Sequence, residues 1–440
     1  MMNTAKIRDI GIHGEGIGDW EGLTVFIPGA LPGETVAFSP KVKKTKYATG
    51  TLKTVIEPSA DRREPLCDLF GRCGGCQLQH LADPAQAAWK TNHVKAALER
   101  IGGFEAPVVH PILTGSPWHY RNKAQIPVYS TGMGFFAANS HSVVDMTTCP
   151  IQNDTINTTW KAVRRAIIDH AIPVYDEATH KGVLRHVIIR VSLSSGAVMV
   201  GFVGLSPTPP KAVTLAAKQV AKQGVTSVIY NHNPAKGNTI LGPSNRVLVG
   251  SHTLSDELLG IAYQFDLHSF VQVNTPQTEV LYQTVLKAAA LSGTETVWDV
   301  YSGIGILTLL LAKNAKQVTG IESISQTVEN AKANAALNGV TTVDFQAGAA
   351  ENLLPELPGT VDVIVVDPPR KGCEAPVLEA IGRSTAHTLV YVSCDPGTLA
   401  RDLKQLRTHG FVLEWVQPID LFAQTIHVES VCKLSRPKPI

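Results

Sequence analysis

The sequence predicts an α/β protein with a doubly wound sheet in its C-terminal part. Three observations carry this. From about residue 265, apolar strand-like runs alternate with helical patterns in βαβα order. One strand-to-helix junction is glycine-rich: Asp299-Val-Tyr301-Ser-Gly303-Ile-Gly305. Upstream, residues 1 to about 57 show frequent glycines between short strand-like runs, the pattern of a small β-barrel. The expected division is a barrel over 1–58, a central α+β region over 59–264 and a Rossmann-like unit over 265–440.

Composition agrees with a folded chain of this kind. The 440 residues are 44% hydrophobic and 17% charged, which excludes a disordered protein. At about 150 residues per domain, three domains are expected. There is no apolar run of about 18 residues, so no membrane span is expected. Met1 to Asp9 lacks the apolar core of a secretory leader, and a cytoplasmic location is expected. The net charge of +2 neither requires nor excludes nucleic acid. Nothing in the sequence fixes an oligomeric state.

In the barrel, Leu23 to Ile27 and Thr35 to Phe38 read as strands. Gly14-Glu-Gly-Ile-Gly18 is followed by a strand pattern, which argues against a dinucleotide loop. Lys41, Lys43, Lys44 and Lys46 form a basic run, either a solvated strand edge or a phosphate-contacting patch. On a strand, Lys44 and Lys46 would share one face, and Lys41 and Lys43 the other.

Residues 83 to 101 have helical periodicity through Ala85, Ala88, Trp89, Val94, Ala97, Leu98 and Ile101. Asp83 before Pro84 reads as an N-cap followed by a first-turn proline. The central region has β-rich runs at Val183 to Val191, Ala197 to Val203 and Ser227 to Tyr230, with a helical pattern near 210 to 223.

In the C-terminal unit, Val297 to Val300, Val318 to Glu322, Val361 to Val366 and Thr388 to Val392 read as strands. Leu307 to Ala312 begins a helix, and Ser325 to Leu337 forms another. Glycines at the first crossover let backbone approach a ligand at the rim where open α/β sheets bind cofactors. Glu322 ends the next strand, where an acidic residue can accept both ribose hydroxyls. Thr308 stands where a nicotinamide site usually has a third glycine. The Asp-x-x-x-Gly-x-Gly form instead resembles the S-adenosylmethionine (SAM) methyltransferase motif.

Two more strand ends reach the same rim. Asp367-Pro368-Pro369-Arg370 must leave the sheet, because two prolines cannot extend a strand. It is similar to the Asp-Pro-Pro of amino-directed methyltransferases, but Arg370 and Lys371 stand where those have an aromatic. Val392-Ser393-Cys394-Asp395-Pro396 puts a cysteine at a strand end beside polar residues. Near the C-terminus, His427-Val428-Glu429 offers two bases, on one face if the segment is a strand.

The seven cysteines are odd in number and so do not read as a disulfide framework. Cys67-x5-Cys73-Gly-Gly-Cys76 brings three thiols into one loop, and Cys149 could supply a fourth. Four thiolates suit zinc or an iron–sulfur cluster, and spacing does not choose.

Together these residues resemble the RNA uracil-5-methyltransferase family over nearly the whole chain. The resemblance implies a TRAM-like, OB-like barrel that binds RNA and a SAM-dependent catalytic domain. Phe270-Val-Gln272-Val-Asn274 is similar to the family's Phe-x-Gln-x-Asn segment, which makes Gln272 a SAM contact. Tyr301 takes the aromatic SAM-contacting position, Glu322 the ribose acid, and Asp367 the Asp-Pro-Pro-Arg segment. Cys394 takes the place of the nucleophile and Glu429 that of the base, which decides against His427. Ile306 departs from members that carry a polar residue there. For the cysteines Cys67, Cys73, Cys76 and Cys149, the resemblance implies a structural [4Fe-4S] cluster.

The chemistry accounts for this residue set. Carbon 5 of uracil is a weak nucleophile until a thiolate adds to carbon 6. A base must then remove the carbon 5 proton before the thiolate leaves. The uridine must be unstacked, and Trp118-His-Tyr120-Arg-Asn-Lys123 mixes aromatic and basic residues suited to holding it. The expected substrate is 23S ribosomal RNA, because members acting on transfer RNA often lack both barrel and cysteine cluster; the alternative is transfer RNA. Two remoter alternatives are an amino-group methyltransferase and an inactive RNA-binding iron–sulfur protein.

Overall fold

The computed structural model describes residues 3–129, 132–177, 179–357 and 360–437. Met1 and Met2, the start of the segment read above as lacking a leader, lie outside them.

Five strands close a barrel in the order β1-β2-β3-β5-β4: β1 (Asn3–Ile10), β2 (Glu15–Trp20), β3 (Leu23–Pro28), β4 (Thr35–Lys43) and β5 (Tyr47–Glu57). Alternating inward residues, among them Ala5, Ile7, Val25, Ile27, Val36 and Phe38, fill it. At Gly50 a Cβ would lie 2.4 Å from Phe38 Cδ2, so only glycine fits against that ring. The lysine run does not lie on one strand. Lys41 and Lys43 end β4, and Lys44 and Lys46 lie in the turn before β5. Lys43 Nζ is 2.6 Å from Glu21 Oε2 and sits over the Trp20 ring.

Helix α1 (Asp83–Arg100) follows, with its N-cap at Ala82 rather than Asp83 and no side-chain cap. Its buried face differs from the apolar one expected. Gln86 and Lys90 are buried with Val94, Ala97 and Leu98, while Ile101 is exposed.

The central region is a seven-stranded sheet in the order β12-β11-β10-β9-β6-β7-β8. Its strands are β6 (Lys123–Tyr129), β7 (Gly132–Phe136), β8 (Val143–Asp145), β9 (Leu184–Val191), β10 (Val198–Gly204), β11 (Ser227–His232) and β12 (Ser244–Val249). Helices α2 (Asp154–Asp169) and α3 (Lys211–Ala221) pack on one face through Ile156, Trp160, Val163, Val213 and Val220. The other face, through Ile188, Met199 and Val203, shares a core with the hairpin β13 (Leu254–Leu258) and β14 (Ile261–Phe265). That core continues into Ile304, Leu309, Val328 and Phe345 of the C-terminal unit.

The C-terminal unit alternates helices and strands: α4 (Thr275–Ala289), β15 (Thr296–Val300), α5 (Ile306–Ala312), β16 (Gln317–Glu322), α6 (Ser325–Leu337), β17 (Val343–Ala347), α7 (Ala350–Leu353), β18 (Val363–Val366), α8 (Ala375–Arg383), β19 (Thr388–Ser393) and α9 (Pro396–Thr408). Two final strands, β20 (Val412–Ile419) and β21 (Glu429–Ser435), complete a sheet ordered β17-β16-β15-β18-β19-β21-β20. The first five are parallel; β21 runs antiparallel between β19 and β20. This is the expected Rossmann-like unit, with its ligand rim at the carboxyl ends of β15, β16, β18 and β19. Val361 and Asp362 fall outside β18, and the Asp362 carboxylate accepts from Thr296 N–H at 2.9 Å. Among the described residues, no helix is long and apolar enough to cross a membrane.

Candidate functional site

The end of β15 makes the first part of the site. Tyr301 has φ +69°, a left-handed conformation that non-glycine residues rarely hold. Gly303 and Gly305 follow at φ +55° and +86°, and Gly305 is the N-cap of α5. A Cβ on Gly305 would meet Phe345 Cζ at 2.8 Å; one on Gly303 would meet open space. The loop is held by Glu322, whose carboxylate accepts from Gly303 N–H at 3.2 Å and Ile324 N–H at 2.9 Å.

Gln272, Tyr301, Gly303, Ile306, Asp299 and Asp367 all line one cavity at this rim. Thus three of the four residues expected to hold SAM share a cavity, and Glu322 touches its glycine loop from outside. The enclosed space is about 50 Å³. That is far below the roughly 300 Å³ of a small-molecule pocket. The residues nevertheless fit a nucleoside cofactor. Ser302 Oγ is buried without a protein partner, and the space above Gly303 is open. Ile306 is buried in the wall.

Sequence reasoning gave Asp299 no role, although it opens the glycine motif. It is buried and accepts from Thr308 Oγ1 at 2.5 Å. Burial, with Asp367 nearby, pushes its carboxyl up to about 7 despite that bond. Burial likewise pushes Asp367 up to about 6.

Cys394 follows β19, one strand from Asp367. Burial pushes its thiol up to about 12; Glu429 and Asp367 add to this and Arg370 opposes it. Glu429, the first residue of β21, is buried and pushed up to about 8 by burial and Asp367, again opposed by Arg370. The two residues expected as nucleophile and base are therefore within electrostatic reach of each other and of one guanidinium. His427 lies before β21, so strand alternation does not place it beside Glu429. It faces Arg370 instead, with Nε2 3.4 Å from Nη2.

The Asp367-to-Cys373 turn is clamped by α9. Thr398 Oγ1 donates to Arg370 O at 3.1 Å, Arg401 Nη2 to Lys371 O at 2.8 Å, and Cys373 N–H to Asp402 Oδ2 at 2.8 Å.

Cys67, Cys73, Cys76 and Cys149 line a second cavity, of about 530 Å³, with Arg121, Lys123 and Gln125. Phe270, Val271 and Gln272 wall both cavities. Burial and the neighbouring thiols push Cys76 up to about 12; burial does most to push Cys149 up to about 11. Among the described residues, no group of three or more His, Cys, Asp or Glu side chains is arranged to hold a metal ion. Zinc needs thiolates converging at about 2.3 Å from one point.

The Trp118-to-Lys123 segment alternates between core and surface, with Trp118, Arg121 and Lys123 half-buried. Tyr120 and Asn122 are buried, and Asn122 Nδ2 donates to Gln272 O at 3.1 Å and Thr275 Oγ1 at 3.0 Å. His119 pairs with Asp154 at 2.9 Å. Burial and two neighbouring arginines push Lys123 down to about 7. Arg121 and Lys123 lie on the wall of the larger cavity.

Comparison with known proteins points one way. A family model described as tRNA (Uracil-5-)-methyltransferase matches residues 248–437. An uncharacterised RNA methyltransferase of Listeria innocua is 40% identical, over 98% of this chain and 96% of its own. Another, of Halalkalibacterium halodurans, is 41% identical over 97% and 95%. Among solved structures, the tRNA (uracil-54, C5)-methyltransferase of Pyrococcus abyssi, in complex with S-adenosyl-L-homocysteine, superposes with a TM-score of 0.80. It is 26% identical, covering 98% of this chain and 100% of that one.

Proposed function

The chain belongs to the RNA uracil-5-methyltransferase family, and on that premise we propose how its residues methylate carbon 5 of a uridine and in which RNA. Cys394 gives its thiol proton to solvent and, as the thiolate, adds through its sulfur to carbon 6, giving an enolate whose carbon 5 is nucleophilic. SAM, when bound, would supply the electrophilic methyl group for carbon 5 and would be left as S-adenosyl-L-homocysteine. Glu429 then accepts the carbon 5 proton, and the Cys394 sulfur leaves carbon 6 with its electron pair. Gln272, Tyr301, Glu322 and Asp367 hold the cofactor. Arg370 steadies the negative charge that passes between sulfur and ring.

The observation that carries this reading is that half-buried Cys394 and buried Glu429 both feel the charges of Asp367, which lines the cofactor cavity, and of Arg370. An amino-group methyltransferase would have no use for that thiol. RNA with 5-fluorouridine at the target has no removable proton at carbon 5. With SAM present it should become covalently trapped on the parent protein and not on Cys394→Ala. Failure to trap the parent refutes the mechanism.

We propose 23S ribosomal RNA as the substrate. The lysine run at the barrel, Lys41, Lys44 and Lys46, supports a phosphate-contacting surface outside the catalytic unit. Transfer RNA is the second reading, favoured by the whole-chain likeness to the Pyrococcus abyssi enzyme. Mass-spectrometric mapping of both RNAs from cells with and without the gene decides between them.

We further propose that Cys67, Cys73, Cys76 and Cys149 hold a [4Fe-4S] cluster with a structural role. The support is the one cavity that all four cysteines line. Anaerobic iron and sulfide reconstitution should give a broad visible absorbance, and its absence refutes the cluster.

A further inference from the structure

The stretch before Glu429 is anchored carbonyl by carbonyl. Leu421 O accepts from Asn274 Nδ2 at 3.0 Å, Phe422 O from Lys90 Nζ at 3.1 Å and Ala423 O from Tyr120 Oη at 3.0 Å. Gln424 O accepts from the N–H groups of Gln77 at 3.1 Å and Leu78 at 3.0 Å. The four anchors come from the cofactor-side loop, α1, the 118–123 segment and the chain just after Cys76.

Gln424 is the most tightly determined of these. Its φ is +69° and its side chain is fully buried. Its Oε1 accepts from Arg63 Nη2 at 2.9 Å and Gln86 Nε2 at 3.0 Å. Its Nε2 donates to Asp83 Oδ1 at 2.9 Å, and its N–H to Gln86 Oε1 at 3.2 Å. A strained residue persists only where its surroundings leave it no alternative. Here they join the lead-in to β21 with the start of α1 and the exit of the cysteine loop.

We propose that Gln424 is a positioning residue for Glu429, fixing the entry to β21 against the chain that leaves the cysteine loop. The proposal rests on the reading of Glu429 as the base. A displaced entry lets the Glu429 carboxyl swing or admits water to it. Either loosens its alignment on the carbon 5 proton, and water restores the solvation that burial removed. Methyl transfer thereby becomes sensitive to the order of the cysteine loop, although Cys67, Cys73 and Cys76 do not touch the reacting atoms.

The test uses the full-length protein. Gln424→Glu removes the donor to Asp83 and sets two carboxylates together. It should lower kcat on the order of 10- to 100-fold, leave the KM for SAM unchanged and move the pH midpoint of kcat downward. Adding Asp83→Asn restores a donor–acceptor pair and should return kcat and midpoint toward the parent values. Hydrogen exchange of the 425–430 amides should quicken in the single variant and slow again in the double. A merely structural role would lower the melting temperature without moving the midpoint. Parental kcat and midpoint in Gln424→Glu, or a double variant no better than the single, overturns the proposal. If the parent itself fails to methylate uridine, the reading of Glu429 falls. Exchange then decides the link alone, and unchanged exchange at 425–430 refutes it.

Discussion

Lys90 Nζ, on α1, lies 2.7 Å from Asp420 Oδ1 just past β20, with the lysine side chain wholly removed from water. The ammonium also donates to Phe422 O. Removing one member of a buried pair strands the other charge. Lys90→Ala should therefore destabilise the protein by about 3–5 kcal/mol in urea unfolding. The double variant Lys90→Met, Asp420→Leu should recover most of that loss. Equal stability of Lys90→Ala and the parent would show that the pair contributes nothing.

The pH dependence follows from Glu429. A carboxyl held at about 8 must ionise before it can accept a proton, so turnover should rise with pH through a midpoint near 8. Arg370 favours the charged form, so Arg370→Gln should move that midpoint higher. Tritium release from 5-tritiated uridine in RNA reports it. Linkage runs the same way: the folded value lies above the ordinary 4.5. The stability Glu429 contributes is present below that ordinary value and is lost as pH rises through 8. At pH 9, Glu429→Gln should melt above the parent while turning over no RNA.

Gly303 and Gly305 should fail differently on substitution. Gly305→Ala meets the Phe345 ring at 2.8 Å in a left-handed conformation. It should lose about 1–3 kcal/mol of stability. Gly303→Ala faces open space at the cofactor cavity and should lose less stability but raise the KM for SAM. Thermal melts and calorimetric titration separate the two, and equal profiles would contradict this division.

The barrel lysines should act through salt. Reversing Lys41, Lys44 and Lys46 to glutamate should weaken RNA binding and flatten its dependence on log salt by about 0.7 per lost phosphate contact. SAM binding should be untouched. Lys43→Gln should matter least, because Glu21 already balances that charge. Filter binding at several salt concentrations is the measurement; an unaltered slope would remove the barrel from the RNA interface.

Legibility in the sequence followed the range of the interactions. Helix α6 has the bounds that its residues predict, Ser325 to Leu337, and the strands at β15, β16 and β19 lie within a residue or so of their apolar runs. Local periodicity suffices for these. Helix α4 escaped because its first turns mix threonine and glutamine, and its N-cap, Asn274, was read only as part of a cofactor motif. The face of α1 was misjudged because Gln86 and Lys90 are buried by partners more than 300 positions away, Gln424 and Asp420. No window along the chain contains both ends of such a bond. At the site, the strand-end residues were visible through their motifs. The Gln424 anchor was not, although its position in a conformation unusual for glutamine marks it once the backbone is known.

Strand β21 has one more consequence. It comes last in chain order among the described strands, yet it enters between two neighbours that precede it. A polypeptide emerging during translation therefore displays its sulfur before its proton acceptor, and the acceptor arrives only when the gap in the sheet is closed. Competence is conferred in a single late step, so prematurely terminated chains should be silent toward RNA rather than half-active, unable to leave stalled adducts on it.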